Sequence, residues 1–473
     1  MTAQGQAVLR KLRGPCPMPA VEFDLAAVGY GETEMILEGT ADSFLQVGQR
    51  GADGKWSARV GSTARYATRV IIRHPLEAQR CSGAFIVEWL NVSSGSDVSP
   101  DWTYLHRHIM RQGHVWAGVS AQRVGVEGGG ILQGDHLKQA APERYNALSH
   151  PGDAWAFDIF SDAGRMLRST TGYSWPTPTY MLATGHSQSA AFLSTYINAI
   201  DPTARVYDGF LIHGWGGSGP RLDGFLTGGR GTDPERARRN LVANPAAIRN
   251  DARVPVVLLQ SETDTLLMPS DRVREADSSN LRVWEIAGTA HGDSYLMSGG
   301  RDDGRLSAAA LADIFAATSQ PTIGALTLPE REVPINGAPQ HHYVAHAALE
   351  CLSRWAVGGS PPPHAPRLVH PLRQDNMGIA VGGIRTPWVE VPTATMSGAE
   401  GHALGTTRPF SDEVLHRLYP GGGEEYLIAF RTSLDSTITE GFLLEEDRTE
   451  ILGLAVAALP AALRMPDNAV PLT

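Results

Sequence analysis

Six short apolar runs constrain this chain most. They are Gly83–Asn91 (GAFIVEWLN), His114–Ala121 (HVWAGVSA), Thr179–Thr184 (TYMLAT), Val206–His213 (VYDGFLIH), Val254–Gln260 (VPVVLLQ) and Leu281–Ala287 (LRVWEIA). A run this short and this apolar reads as a strand covered on both faces. Segments with helical spacing stand between them. The clearest is 154–169, where Trp155, Phe157, Ile159, Phe160, Ala163, Met166 and Leu167 recur on one side. Residues 102–112, Ser187–Ile200, 305–317 and Ala338–Ala356 also suit helices. Buried strands alternating with helices predict an α/β fold with a mostly parallel, doubly wound sheet and helices on both faces. Two further strands are expected upstream, at Gly31–Phe44 and Tyr66–Arg73.

The active sites of such sheets assemble at the carboxyl ends of the strands. Three chemically suited groups arrive there. Ser187 follows Tyr180–Thr184 in the pentapeptide Gly185-His186-Ser187-Gln188-Ser189. A nucleophilic serine on a sharp strand-to-helix turn needs small residues two places before and after it, usually as G-x-S-x-G. Here the last place is Ser189, small but with a Cβ. Serine is also a common helix cap, so the pentapeptide alone leaves both readings open.

Chain order decides between them. The carboxylates Glu262 and Asp264 follow the Val254–Gln260 run, and His291 follows Leu281–Ala287. Serine, acid, histidine is the order of strand-end triads on this type of sheet. A serine hydroxyl needs an imidazole to take its proton, and the imidazole needs a carboxylate to fix its tautomer. Ser187 is thus the candidate nucleophile and His291 the candidate base. Asp264 and Glu262 both stand as candidate acids, with Asp264 preferred for its place in the loop. The oxyanion hole is expected from the backbone N–H of Gln188 and of Val92 or Ser93, in the loop Asn91–Asp97. His213–Gly217 (HGWGG) mimics an oxyanion motif but follows the serine, so it reads as the start of an insertion.

These motifs resemble a bacterial family of α/β-hydrolase-domain proteins. The resemblance rests on ATGHSQSA, LSHPGDAWAFDIFSDA, EWLNVSSG, WEIAGTAHGD and the late block GGIRTPWVEVPTATMSG, and runs from about residue 21 to the end. The elbow of that family is typically G-x-S-Q-S-A, which makes Ser189 ordinary there. The resemblance implies an α/β-hydrolase fold and a serine hydrolase acting on an ester or related acyl compound; a small-molecule ester substrate, with no cofactor and no metal, is the expectation. It also implies that the C-terminal region belongs to the catalytic unit, with Asn336-Gly337, His341-His342 and Arg385-Thr386-Pro387 as pocket candidates. An acyltransferase with the same triad is the nearest alternative; a non-catalytic binding protein on the same scaffold is a more distant one.

The resulting division is an N-terminal tail (1–20), a catalytic domain (21–360) with a lid insertion around 214–250, and a C-terminal extension (361–473) packed on it. The extension is punctuated by Pro and Gly and is expected to hold few long helices. Forty Lys and Arg against fifty Asp and Glu give a net charge of −10, which argues against a nucleic-acid partner. The densest basic run, Arg236–Arg239, reads as the polar face of a short helix. Cys16, Cys81 and Cys351 lie too far apart for a disulfide framework or zinc site, and His341-His342 lacks metal-ligand spacing. The N-terminus has no signal-peptide core, and no run approaches the ~20 apolar residues of a membrane span. A cytoplasmic protein without a membrane partner is the expectation.

Overall fold

The apolar runs become adjacent strands of one sheet. The computed structural model describes residues 7–17, 21–130, 132–169, 171–223, 245–267, 274–316, 319–323, 326–327 and 329–464. The strands of the main sheet are β1 (Val8–Lys11), β2 (Tyr30–Val47), β3 (Ser57–Pro75), β4 (Ala84–Trp89), β5 (Val115–Val119), β6 (Tyr180–His186), β7 (Gly209–His213), β8 (Val256–Ser261) and β9 (Leu281–Ile286). Their spatial order is β1-β2-β3-β5-β4-β6-β7-β8-β9. β1, β2, β3 and β5 pair antiparallel, and every pairing from β5 through β4 to β9 is parallel.

Alternation along the parallel strands divides the core in two. Phe85, Val87, Trp89, Met181, Ala183, Val256 and Leu258 face one layer. Ile86, Leu182, Leu211, Val257, Leu259 and Trp284 face the other. Helices α2 (Ala156–Ser169) and α3 (Gln188–Thr195) cover the first layer, and α1 (Pro100–Gln112) and α4 (Gln340–Ala356) the second. Two covered faces are why these strands are apolar throughout. Trp89 is fully buried, with Phe160, Phe192 and Phe157 at ring distances of 4.7, 5.2 and 5.9 Å. Truncating such a residue to alanine costs about 3–5 kcal/mol.

The structure departs from the expectations in three places. Within the expected tail, Val8–Lys11 pairs with Met35–Glu38 as an edge strand. Its side chains are mostly exposed, so backbone pairing holds it and no buried face announces it. β3 starts at Ser57, well before Tyr66; its first half, mostly exposed and without an apolar period, pairs with the end of β2. Third, the C-terminal region carries α5 (Gly422–Thr439), which is 18 residues long, and α6 (Arg448–Ala457). Tyr426, Phe430 and Leu434 bury one narrow stripe of α5 at four-residue spacing.

Leu415, Phe430, Leu434 and Leu454 share one apolar cluster with Leu182, Leu211 and Trp284 of the sheet. Residues 361–464 thus pack on the sheet through a common core. The expected lid falls partly outside the described residues, which stop at Asp223 and resume at Pro245; Arg236–Arg239 lies wholly outside them. Among the described residues no helix is long and apolar enough to cross a membrane.

Candidate active site

β6 ends at His186, and α3 begins at Gln188, leaving Ser187 alone at the turn. Its backbone has φ 62° and ψ −117°. A residue with a Cβ held there costs about 1–3 kcal/mol, and such strain gathers at functional positions. Two hydrogen bonds brace it: Ser187 N–H donates to the His213 carbonyl at 2.8 Å, and its own carbonyl accepts from Ala191 at 3.1 Å. The small neighbours have a packing reason. A Cβ on Gly185 would stand 2.9 Å from Ser189 Cβ and 3.1 Å from Leu193 Cδ1. Strand and helix cross too closely for larger side chains.

Ser187, His291 and Asp264 are brought together. Ser187 Oγ lies 2.7 Å from His291 Nε2, and His291 Nδ1 lies 2.5 Å from Asp264 Oδ1. Asp264 is buried, and its Oδ2 accepts from the backbone N–H and the hydroxyl of Ser261, both at 2.7 Å. Burial alone would raise the Asp264 pKa. The facing His291 and the Ser261 donors overcome it and hold the carboxyl at about 2. For His291 burial works downward, and the Asp264 carboxylate outweighs it and raises the pKa. The imidazole of His291 therefore holds a proton more readily than burial alone would allow.

Glu262 is not part of this contact. Its Oε1 accepts from Gly288 N–H at 2.5 Å and its Oε2 from Gly398 N–H at 2.7 Å. It ties the loop leading to His291 to the C-terminal segment. Burial pushes its carboxyl up to about 7, against the pull of those backbone donors.

The loop after β4 reaches the turn from the other side. Asn91 Nδ2 donates to the His186 carbonyl at 2.9 Å, and Asn91 Oδ1 accepts from Ser93 N–H at 2.8 Å. The Ser93 amide is thus already engaged. Val92 N–H points at Gln188 Oε1 at 3.4 Å, a long contact. Gln188 opens α3, so its own N–H has no partner within the helix. The Gln188 side chain also donates to Gln122 Oε1 at 2.7 Å, and Gln122 donates in turn to Asp153 at 3.2 Å. The Ser149–Asp153 stretch thereby supports the wall beside Ser187.

Asn91 and Gln122 are residues that sequence reasoning did not single out. Nor did it give His186 a role. His186 is buried, and its Nε2–H donates to the His291 carbonyl at 3.1 Å. Burial, with His213 and His291 nearby, holds its pKa well below the usual histidine range, so it is neutral. Of the C-terminal candidates, Asn336 donates to the Gly288 carbonyl at 3.0 Å and accepts from Ser294 N–H at 2.9 Å. Gly292 N–H donates to the Ala403 carbonyl at 2.8 Å. These contacts fasten the His291 loop. Arg385 instead pairs with Glu390 and the Ala380 carbonyl. His342 stacks on Tyr295 with ring centres 4.1 Å apart.

No curated protein sequence matches this chain. Among solved structures it is similar to a putative dienelactone hydrolase from Klebsiella pneumoniae at 12% identity, covering 52% of this chain and 85% of that one, with a TM-score of 0.26. It is similar to a Pyrococcus furiosus esterase at 9% identity, covering 57% and 86%, with a TM-score of 0.29. It is also similar to brefeldin A esterase, a bacterial homologue of human hormone sensitive lipase, at 10% identity, covering 60% and 83%, with a TM-score of 0.30. Likenesses this distant say nothing of substrate. The model of the alpha/beta hydrolase domain family matches residues 4–453, nearly the whole chain, and the protein belongs to that family.

Proposed function

We propose that the protein is a serine hydrolase that cleaves a carboxylic ester or lactone through an acyl-enzyme. The observation that carries this reading is the unbroken line from Asp264 through His291 to Ser187, with Ser187 at a strained turn. In this reading Ser187 Oγ attacks the ester carbonyl while His291 Nε2 takes its proton. The imidazolium is stabilised by Asp264, and the tetrahedral oxyanion is met by the backbone N–H groups of Gln188 and Val92. Val92 is favoured over Ser93 because the Ser93 amide is held by Asn91. Collapse of the intermediate releases the alcohol, which receives the proton from His291. Water then repeats the cycle and frees the acid. The substrate is a small-molecule ester, and the steps call on water and on the chain's own side chains and amides.

The test uses short p-nitrophenyl esters and a fluorophosphonate probe. The wild-type protein is expected to turn over the esters and to carry the probe on Ser187, located by peptide mass. Ser187→Ala is expected to lose both. A folded Ser187→Ala variant that still labels or still turns over would overturn the assignment.

A further inference from the structure

A second line of polar groups crosses the interior behind Ser187 and His291. Thr184 Oγ1 on β6 donates to Asp101 Oδ2 at 2.5 Å. Asp101 Oδ1 faces His213 Nδ1 at 2.8 Å. His213 Nε2 meets His341 Nε2 at 3.0 Å, and His341 Nδ1 meets Asp293 Oδ2 at 2.9 Å. Asp101 stands in the first turn of α1, His213 ends β7, His341 stands in the first turn of α4, and Asp293 is two residues past His291. None of the five is more than 1% exposed.

Both ends of this line are attached to the proposed triad. Thr184 is three residues before Ser187 on the same strand path, and the His213 carbonyl accepts from Ser187 N–H. Asp293 belongs to the loop that carries His291, and its Oδ1 accepts from Leu296 N–H at 2.8 Å. The line therefore sets the separation between the strand end bearing Ser187 and the loop bearing His291.

The middle contact also constrains protons. Two imidazole nitrogens 3.0 Å apart attract only if one carries a proton and the other a lone pair. Each Nδ1 faces a carboxylate, and those contacts hold a proton as well. Three contacts thus hold three protons, whereas two neutral imidazoles bring two. Among the described residues, the rings packed on the two histidines are Tyr104, 5.0 Å from His213 and 4.6 Å from His341, and the neutral His186, 4.6 Å from His213. Asp264 and His291 also act on His213, and Glu88 on Asp101. The two buried carboxyls are what balances the extra proton. Burial pushes the Asp101 carboxyl up to about 6 and holds His213 well below the usual histidine range, so the third proton belongs on the carboxyl side of that contact.

We propose that Asp101, His213, His341 and Asp293 form a proton-holding strut that positions Ser187 against His291. The positioning half rests on the reading of Ser187 and His291 given above. These four are positioning residues, since none touches the reacting atoms. Without the third proton, two lone pairs would face each other and the strut would open between β7 and α4.

The test has two arms. In the first, wild-type and Ser187→Ala proteins labelled with 15N-histidine are examined by proton NMR from pH 5 to 8. The expected result is a far-downfield, slowly exchanging N–H proton in both, lost in His341→Gln. Because His291 facing Asp264 can show a similar proton, the assignment rests on His341→Gln: absence of such a proton from the folded wild type, or its undiminished presence in folded His341→Gln, would overturn the shared proton. In the second arm, kcat and KM are measured for His341→Gln and for the nearly isosteric Asp101→Asn. Positioning predicts a fall in kcat of about tenfold or more, with KM within about twofold and the fluorophosphonate still placed on Ser187, more slowly. Wild-type kcat in whichever variant folds would overturn it. Failure of the triad reading is distinguishable, because then Ser187 is not labelled even in the wild type.

Discussion

The side-chain amide of Asn91 donates to the carbonyl of His186 at 2.9 Å, one residue ahead of Ser187, while its oxygen accepts from Ser93 N–H. One buried residue thus ties the loop after β4 to the turn that presents the proposed nucleophile. Asn91→Ala leaves a buried carbonyl and a partly buried amide without partners, at about 1–3 kcal/mol each. The expected outcome is a lower melting temperature and a loss of about 10–100-fold in kcat, because the proposed oxyanion donor Val92 is no longer held. Ester kinetics and thermal denaturation check it. A stable variant with unchanged kcat would remove Asn91 from the site.

Ser187 sits where glycine is at home, at φ 62° and ψ −117°. Ser187→Gly and Ser187→Ala are both expected to be inactive, yet they should differ in stability. The glycine variant relieves strain that the alanine variant keeps, and is expected to be more stable by about 1 kcal/mol after its greater unfolded-state entropy is counted. Urea denaturation of the two variants measures the difference. An alanine variant at least as stable as the glycine variant contradicts the strain.

Asp264 and Glu262 should separate cleanly. Asp264→Asn is expected to lower kcat by about 10⁴-fold, as when a triad acid is replaced by its amide. It also removes what raises the His291 pKa. His291 must be neutral to accept a proton, so kcat/KM falls on the acid side as it protonates. The acid limb of the profile is therefore expected to move to lower pH in Asp264→Asn. A limb that stays in place would mean that another group controls it.

Glu262 should report through stability. Its carboxyl moves from 4.5 in its unperturbed state to about 7 in the fold. A carboxyl raised this way favours the folded state fully below its unfolded pKa, and that contribution is lost as pH rises through about 7. Glu262→Gln is neutral at every pH. Its melting temperature is expected to fall less than that of the wild type between pH 5 and 8, while its kcat stays within about tenfold, far above that of Asp264→Asn. Parallel melting profiles for the two proteins would count against the raised carboxyl.

Gly185→Ala places a methyl group 2.9 Å from Ser189 Cβ and 3.1 Å from α3 backbone. Overpacking of this kind costs about 1–3 kcal/mol, and here it pushes α3 away from β6. The variant is expected to melt earlier and to lose labelling at Ser187 out of proportion to its loss of stability. Normal labelling would show that the turn absorbs the methyl.

Much of this arrangement is legible in the residues themselves. Val87, Leu182 and Leu258 belong to runs with no polar face, and such runs end up between two helical layers. Ser187, Asp264 and His291 follow three of those runs in turn, which places them at neighbouring strand ends. The choice between Glu262 and Asp264 has a different character. The two stand at adjacent-but-one positions of a short helix, Glu262–Leu267, and lie about 200° apart around its axis. They therefore face nearly opposite ways, and which one meets His291 depends on how that helix is docked.

The sequence alone determined the six parallel strands, their alternation with helices and the order in which serine, acid and histidine arrive, because these follow from local apolar patterning and chain direction. Tertiary structure decided which carboxylate meets His291, that Asn91 holds the Ser93 amide while Val92 N–H makes only a long contact, and that His213 meets His341 from 128 residues away. Each is a contact of about 3 Å between groups on separate elements. Its existence depends on how helices and loops are packed over the sheet, and no local pattern of residues encodes that distance.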